Sequence, residues 1–140
     1  MVTPQGLLDH AEKLFDSAAD DLGYRSVVER AYYSAFHAAR EFEEALPHRS
    51  AAQSRTGTHD SLLQRLECPD TNLDSYLKTI SKDVGGQLRQ FKAIREIATY
   101  ELKEPIRVDH AEKAILQAKD ILAECSKGQL KIRALAGRGS

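Results

Sequence analysis

Apolar residues along this chain recur at steps of three and four, the period of a helix with one buried face. No stretch sustains the alternation of a strand. Leu7, Ala11, Leu14, Phe15, Ala18 and Leu22 form the first stripe. With Thr3 as N-cap and Pro4 in the first helical position, they predict a helix over about 3–22, stopped by Gly23. Val28, Tyr32, Ala35, Ala39, Phe42 and Leu46 predict a second over about 26–46. A Ser26–Glu29 capping box would open it and Pro47 would close it. The short turn between the two implies an antiparallel pair. Residues 47–58 are small, polar and basic, and read as a flexible loop. A short helix over about 59–66 follows, capped by Thr58 and broken at Cys68-Pro69-Asp70. The stripe from Leu73 to Leu102 predicts a long helix with a kink or break at Gly85-Gly86, since each glycine costs about 1 kcal/mol relative to alanine. Ala111, Ala114, Ile115, Ala118, Ile121 and Cys125 predict a last helix over about 108–125, opened by Asp109 and Glu112. Residues 126–140 hold three glycines and no strong face, and predict a basic, frayed tail.

The fold class is therefore all-α: a compact antiparallel bundle of four main helices plus one short helix, in one domain over residues 1–125. At 140 residues the chain has the length of a single domain. Absence of Trp and only 9 aromatic residues imply a core packed by Leu, Ile and Ala. No apolar run reaches the length of a membrane span, and the first residues lack the charge and apolar stretch of a signal peptide. Two cysteines make neither a disulfide framework nor a four-ligand zinc site, so a reduced, cytoplasmic protein is expected, with no cofactor and no metal.

The net charge of −1 argues against a surface that coats a polyanion. Its distribution is uneven, however. Residues 1–24 carry five acids against one base, whereas residues 126–140 carry four bases and no acid. Local basic clefts are compatible with that balance.

On the second helix Arg30, Ser34 and His37 step by four and three, aligning a guanidinium, a hydroxyl and an imidazole. Such a line suits a phosphate: Arg steadies its charge, Ser donates a hydrogen bond and His moves a proton near neutral pH. The competing reading is an ordinary solvated face. Tyr32 belongs to the core stripe. Tyr33 and Arg40 share another direction, where Tyr33 would stack on a base or on a neighbouring helix. Arg49 and Arg55 in the basic loop, and His59 at a helix start, complete the candidate nucleic-acid contacts. Arg95 stands among Phe91, Ile94 and Ala98, so it should snorkel or pair with a carboxylate such as Glu29 or Asp16. There is no His pair at metal-binding spacing, no glycine-rich phosphate loop and no G-x-S-x-G.

Residues 24–40, YRSVVERAYYSAFHAAR, resemble the R-A-Y-Y-x-x-F-H-A-A-R helix of a subgroup of the HEPN superfamily. Residues 94–102, IREIATYEL, resemble its R-x-x-A-D-Y-x-L stretch, and Gly57-Thr58-His59 fits the step into its short helix. The resemblance implies a bundle of four to five helices that forms a homodimer. It also implies a place in a toxin–antitoxin or antiviral defence system, often beside a small nucleotidyltransferase. Many members are metal-independent ribonucleases with an R-x(4–6)-H motif at a dimer cleft. Here Tyr100 stands where those enzymes have His, and a phenol with a pKa near 10 is a poor base at neutral pH. Arg30 and His37 satisfy the spacing on a different helix.

Three functions are thus expected in order: a binding module for RNA, a nucleotide or a partner protein; an endoribonuclease using Arg30, His37, Arg95 and Tyr100 across a dimer; and a purely structural dimerisation module.

Overall fold

Asp20 decides where the first two helices meet. Its carboxylate accepts from the Gly23 amide at 2.9 Å, the N-cap bond that opens a helix. The computed structural model, which describes residues 1–138, therefore has α1 over Pro4–Ser17 and α2 over Asp21–Ala45. The helix expected to reach Leu22 stops at Ser17, with Ala18 already extended. Gly23 is no stop signal: it lies in the first turn of α2, where a Cβ would come within 3.1 Å of Ala18. The Ser26–Glu29 capping box does not form either. Ser26 lies inside the helix, donating to the Leu22 carbonyl.

The short helix α3 spans Thr58–Glu67. Its N-cap is Gly57 rather than Thr58, at φ 119°, a backbone state that glycine adopts without strain. Helix α4 spans Ser75–Tyr100 without a break at Gly85-Gly86. Packing compensates for the weak helix former: a Cβ on Gly85 would stand 3.0 Å from Leu66 Cβ and 2.9 Å from Glu67 Cγ. Bare backbone there lets α3 seat against α4, and Ser81 locks the contact by donating to the buried Leu66 carbonyl.

The largest departure concerns the C-terminus. Helix α5 runs over Val108–Arg138, so the expected frayed tail is helical as far as it is described; residues 139 and 140 lie outside the described residues. Its opening is also different, because His110 accepts from the Arg107 amide at 3.0 Å. Gly128 explains the extension. It is buried against Phe42, and a Cβ there would lie 2.3 Å from the ring. Ile132 and Leu135 continue the packing. Gly128→Ala should lower stability by about 1–3 kcal/mol, the usual range for overpacking a tight contact, measured by urea unfolding. Gly137→Ala, where a Cβ meets nothing within 4 Å, is the control and should be neutral or better.

The architecture is five packed helices, with no strand among the described residues. α2 is central, lying against α1, α4 and α5, while α3 packs chiefly on α4. Tyr32, Phe42, Phe91, Leu62, Leu63 and Leu66 are among the largest fully buried side chains. Among the described residues, no helix is long and apolar enough to cross a membrane. One edge of α2 stays open between α1 on one side and α3 and α4 on the other, and the candidate chemistry collects there.

Candidate functional site

Tyr32 organises this edge. Its ring is buried, with Phe91 edge-on beneath it at 5.5 Å, and its hydroxyl shares a hydrogen with His59 Nδ1 at 3.0 Å. That bond ties the start of α3 to the middle of α2. His59 then lies flat on Phe36, with ring centroids 4.1 Å apart and planes 11° apart. Next along α2, Tyr33 and His37 stack at 6.0 Å, and His37 meets Phe36 edge-on at 5.3 Å. Six rings from three helices thus form one continuous array.

Cations surround it. The Arg95 guanidinium sits 5.5 Å from the Tyr32 ring centroid, and that of Arg40 lies 5.7 Å from that of Phe36, both within cation–π range. Lys92 pairs with Asp60 at 2.7 Å. Arg95 approaches Glu29 at 3.6 Å, the inter-helix pairing expected for it, but that is too long for a hydrogen bond. Arg95 Nε, Glu29 Oε1 and Thr99 Oγ1 are buried without a hydrogen-bond partner. Polar atoms in that state are usually satisfied by water or a ligand.

The electrostatics keep both imidazoles uncharged at neutral pH. Burial pushes the His59 pKa down, and Arg95 and Lys92 push it further. Burial also lowers that of His37, assisted by Arg40 and opposed by Glu41. Burial raises the Tyr32 phenol to about 12, so it keeps its proton. A neutral imidazole beside two fixed cations can exchange a proton, while the cations hold an anion.

The structure sorts the sequence-predicted residues. Arg30, Tyr33, His37 and Arg40 line one hollow of about 360 Å³ closed by Pro4 and Leu7. Arg30 and Tyr33 also border a second, of about 430 Å³, with Glu29, Thr99 and Leu102. Tyr33 is 38% exposed, so its face is open to a ligand. Ser34 leaves the predicted line: it is buried and donates to the Pro4 carbonyl at 2.6 Å, because α1 starts directly over it. Arg49 is committed elsewhere, bound to Glu43 at 2.8 Å and 2.9 Å. Arg55 remains exposed in the loop.

Arg30, His37, Arg95 and Tyr100 do not share one hollow of this chain. Arg95 lies against Tyr32 and Glu29, and Tyr100, the last residue of α4, is 69% exposed and lines neither cavity. Sequence reasoning missed the Tyr32–His59 bond, the Phe36–His59 stack and Lys92. A signal existed for the second: Phe36 interrupts the alanines that flank it on α2, a large ring needing a partner. Among the described residues no group of three or more His, Cys, Asp or Glu is placed to hold a metal ion.

Comparison with protein-family models, curated proteins and solved structures finds no match for this chain.

Proposed function

We propose that this chain is a HEPN-like helical bundle, with its main helices antiparallel, that binds RNA or a nucleotide along the open edge of α2. The RAYYSAFHAAR resemblance supports a working unit that is a homodimer of a toxin–antitoxin or defence type system, with a small nucleotidyltransferase as its protein partner. The observation that carries the binding reading is the ring array Tyr33–His37–Phe36–His59 flanked by Arg40 and Arg95. Single-stranded nucleic acid is held by such a combination: the exposed ring, here Tyr33 set on the buried rings behind it, accepts the face of a base, and cations track the phosphates.

Fluorescence anisotropy with a labelled single-stranded RNA tests it. Tyr33→Ala should weaken binding about tenfold, since base–aromatic stacking is worth roughly 1–3 kcal/mol. Arg40→Ala should weaken it less and flatten the dependence on salt by about one phosphate contact. Binding that ignores both substitutions, or no binding at low salt, would reject the reading.

A second reading, a metal-independent endoribonuclease, is favoured by one feature: uncharged His59 lies beside Arg95 and Lys92. In that case the chain cleaves RNA in EDTA, leaves 2′,3′-cyclic phosphate ends, and loses the activity in His59→Ala or His37→Ala.

A further inference from the structure

Helix α5 presents a stripe to solvent that differs from an ordinary outer face. Leu116, Ala123 and Leu130 recur every seven residues along its centre, and the two leucines are 59% and 63% exposed. Seven residues bring a side chain back to nearly the same direction, so the three form one line about 21 Å long. A hollow lies beside each leucine. The one at Leu116 is about 320 Å³, floored by Phe15 and Ile115 and rimmed by Glu12, Asp16, Glu112 and Lys119. The one at Leu130 is about 640 Å³, floored by Leu8 and Cys125 and rimmed by Glu12, Glu41, Lys119 and Arg133.

We propose that a second copy of this chain docks antiparallel on the outer face of α5, about a two-fold axis passing at Ala123. This rests on the proposal that the chain works as a homodimer, and it assigns the surface. In a two-fold antiparallel pair, residues equally far from the axis on opposite sides meet. Leu130 of each copy then enters the hollow beside Leu116 of the other, and the two Ala123 residues face each other where the backbones come closest. Charges pair where they share a flank of α5 and lie nearly equally far from Ala123 on opposite sides. Lys127 then stands opposite Asp120, and Arg133 opposite Glu112 with Asp16 behind it. Lys119 stands opposite Ser126. Tyr76, which lines a further hollow beside Leu130 with Lys131, widens the contact. The stripe between Glu112 and Arg133 is about 32 Å long. With its three flanking hollows, it offers the extent needed for the roughly 800 Å² per partner of a stable interface.

Sedimentation velocity across a micromolar-to-submillimolar range tests the surface. The chain should sediment as a dimer. Leu116→Glu and Leu130→Glu should each weaken it about tenfold or more, because each leucine is used twice across the axis. Asp120→Lys and Lys127→Asp should each weaken it, and the two together should restore it, an outcome no unfolding effect produces. Ala123→Cys in a Cys68→Ser background should cross-link to itself under mild oxidation. A monomer at every concentration would overturn this surface together with the expected dimer. A dimer that ignores these substitutions, or whose paired charge reversal is not restored, would overturn the surface alone.

Discussion

Glu43→Ala should cost about 3–5 kcal/mol of stability, the usual penalty for breaking a buried ion pair from one side. For a domain of this size that is a fall in melting temperature of about 10–15 °C. Glu43 sits on the inner face of α2 with no solvent exposure. Its two oxygens accept from Arg65 Nε at 2.7 Å and from Arg49 at 2.8 Å and 2.9 Å. One carboxylate thus ties α2 to α3 and to the loop between them. Burial alone would raise its pKa, but the bonds from Arg49 and Arg65 more than offset this and hold it below the ordinary value. A carboxyl whose pKa is depressed on folding adds stability above its unfolded pKa, about 4.3, and loses it as pH falls through the lower folded value. Glu43→Gln should therefore flatten the acid limb of the stability curve as well as lower it. Arg49→Ala should cost much less than Arg65→Ala, since the Arg49 side chain is 46% exposed and that of Arg65 only 20%. Thermal melts at neutral and acid pH measure all four variants. A Glu43→Ala protein as stable as the parent would show that the network is dispensable.

The position of Glu43 shows how far the sequence could be read. Apolar spacing located all five helices, because burial of one face dominates the energetics of a small bundle. It placed Tyr32, Phe42 and Leu88 correctly in the core. The helix ends were less legible, since they are decided by competition between nearby caps. Asp20 and Ser26 both offer an N-cap oxygen, and only the fold shows that Asp20 wins. Gly85 and Gly128 read as weak points because intrinsic propensity penalises them. Their close approaches to Leu66 and Phe42 come from tertiary packing that spacing does not reveal.

The candidate site divides in the same way. Arg30 and His37 read as one line of α2, and Tyr33 and Arg40 as another direction, yet all four share one hollow. Residues from other helices were harder to place. His59 reaches the array through Tyr32, from 27 positions away. Arg95 arrives on α4, and nothing in its local sequence chooses between Glu29 and Asp16 as its partner. Ser34 fits the helical line, yet it is covered by Pro4 from α1. Periodicity assigns a direction around one helix. What covers that direction is settled by the other four.

The C-terminus of α4 supplies the second large effect, because two of its carbonyls, that of its C-cap and one from the following turn converge on one side chain. Arg25 is buried and donates to the carbonyls of Ile97 at 3.3 Å, Ala98 at 2.9 Å, Glu101 at 3.2 Å and Glu104. The last carbonyls of a helix have no partner within it and carry partial negative charge, which a guanidinium both satisfies and neutralises. Asp21 fixes the guanidinium from behind with two bonds of 3.1 Å. It also accepts from the Ile106 amide at 2.6 Å, which ties down the turn into α5. Arg25→Ala should therefore cost about 3–4 kcal/mol, the sum of several charge-assisted bonds less what water recovers. Arg25→Lys should recover only part of that loss. An ammonium has three donors on a single nitrogen, whereas the fork of Arg25 spreads its contacts over three nitrogens. Amide hydrogen exchange separates this role from a general loss of packing. In Arg25→Lys, protection should fall first over residues 97–107, while the amides around Leu62 and Leu63 keep theirs. Uniform loss of protection across the chain would show instead that Arg25 supports the whole core and is not specific to the α4–α5 corner.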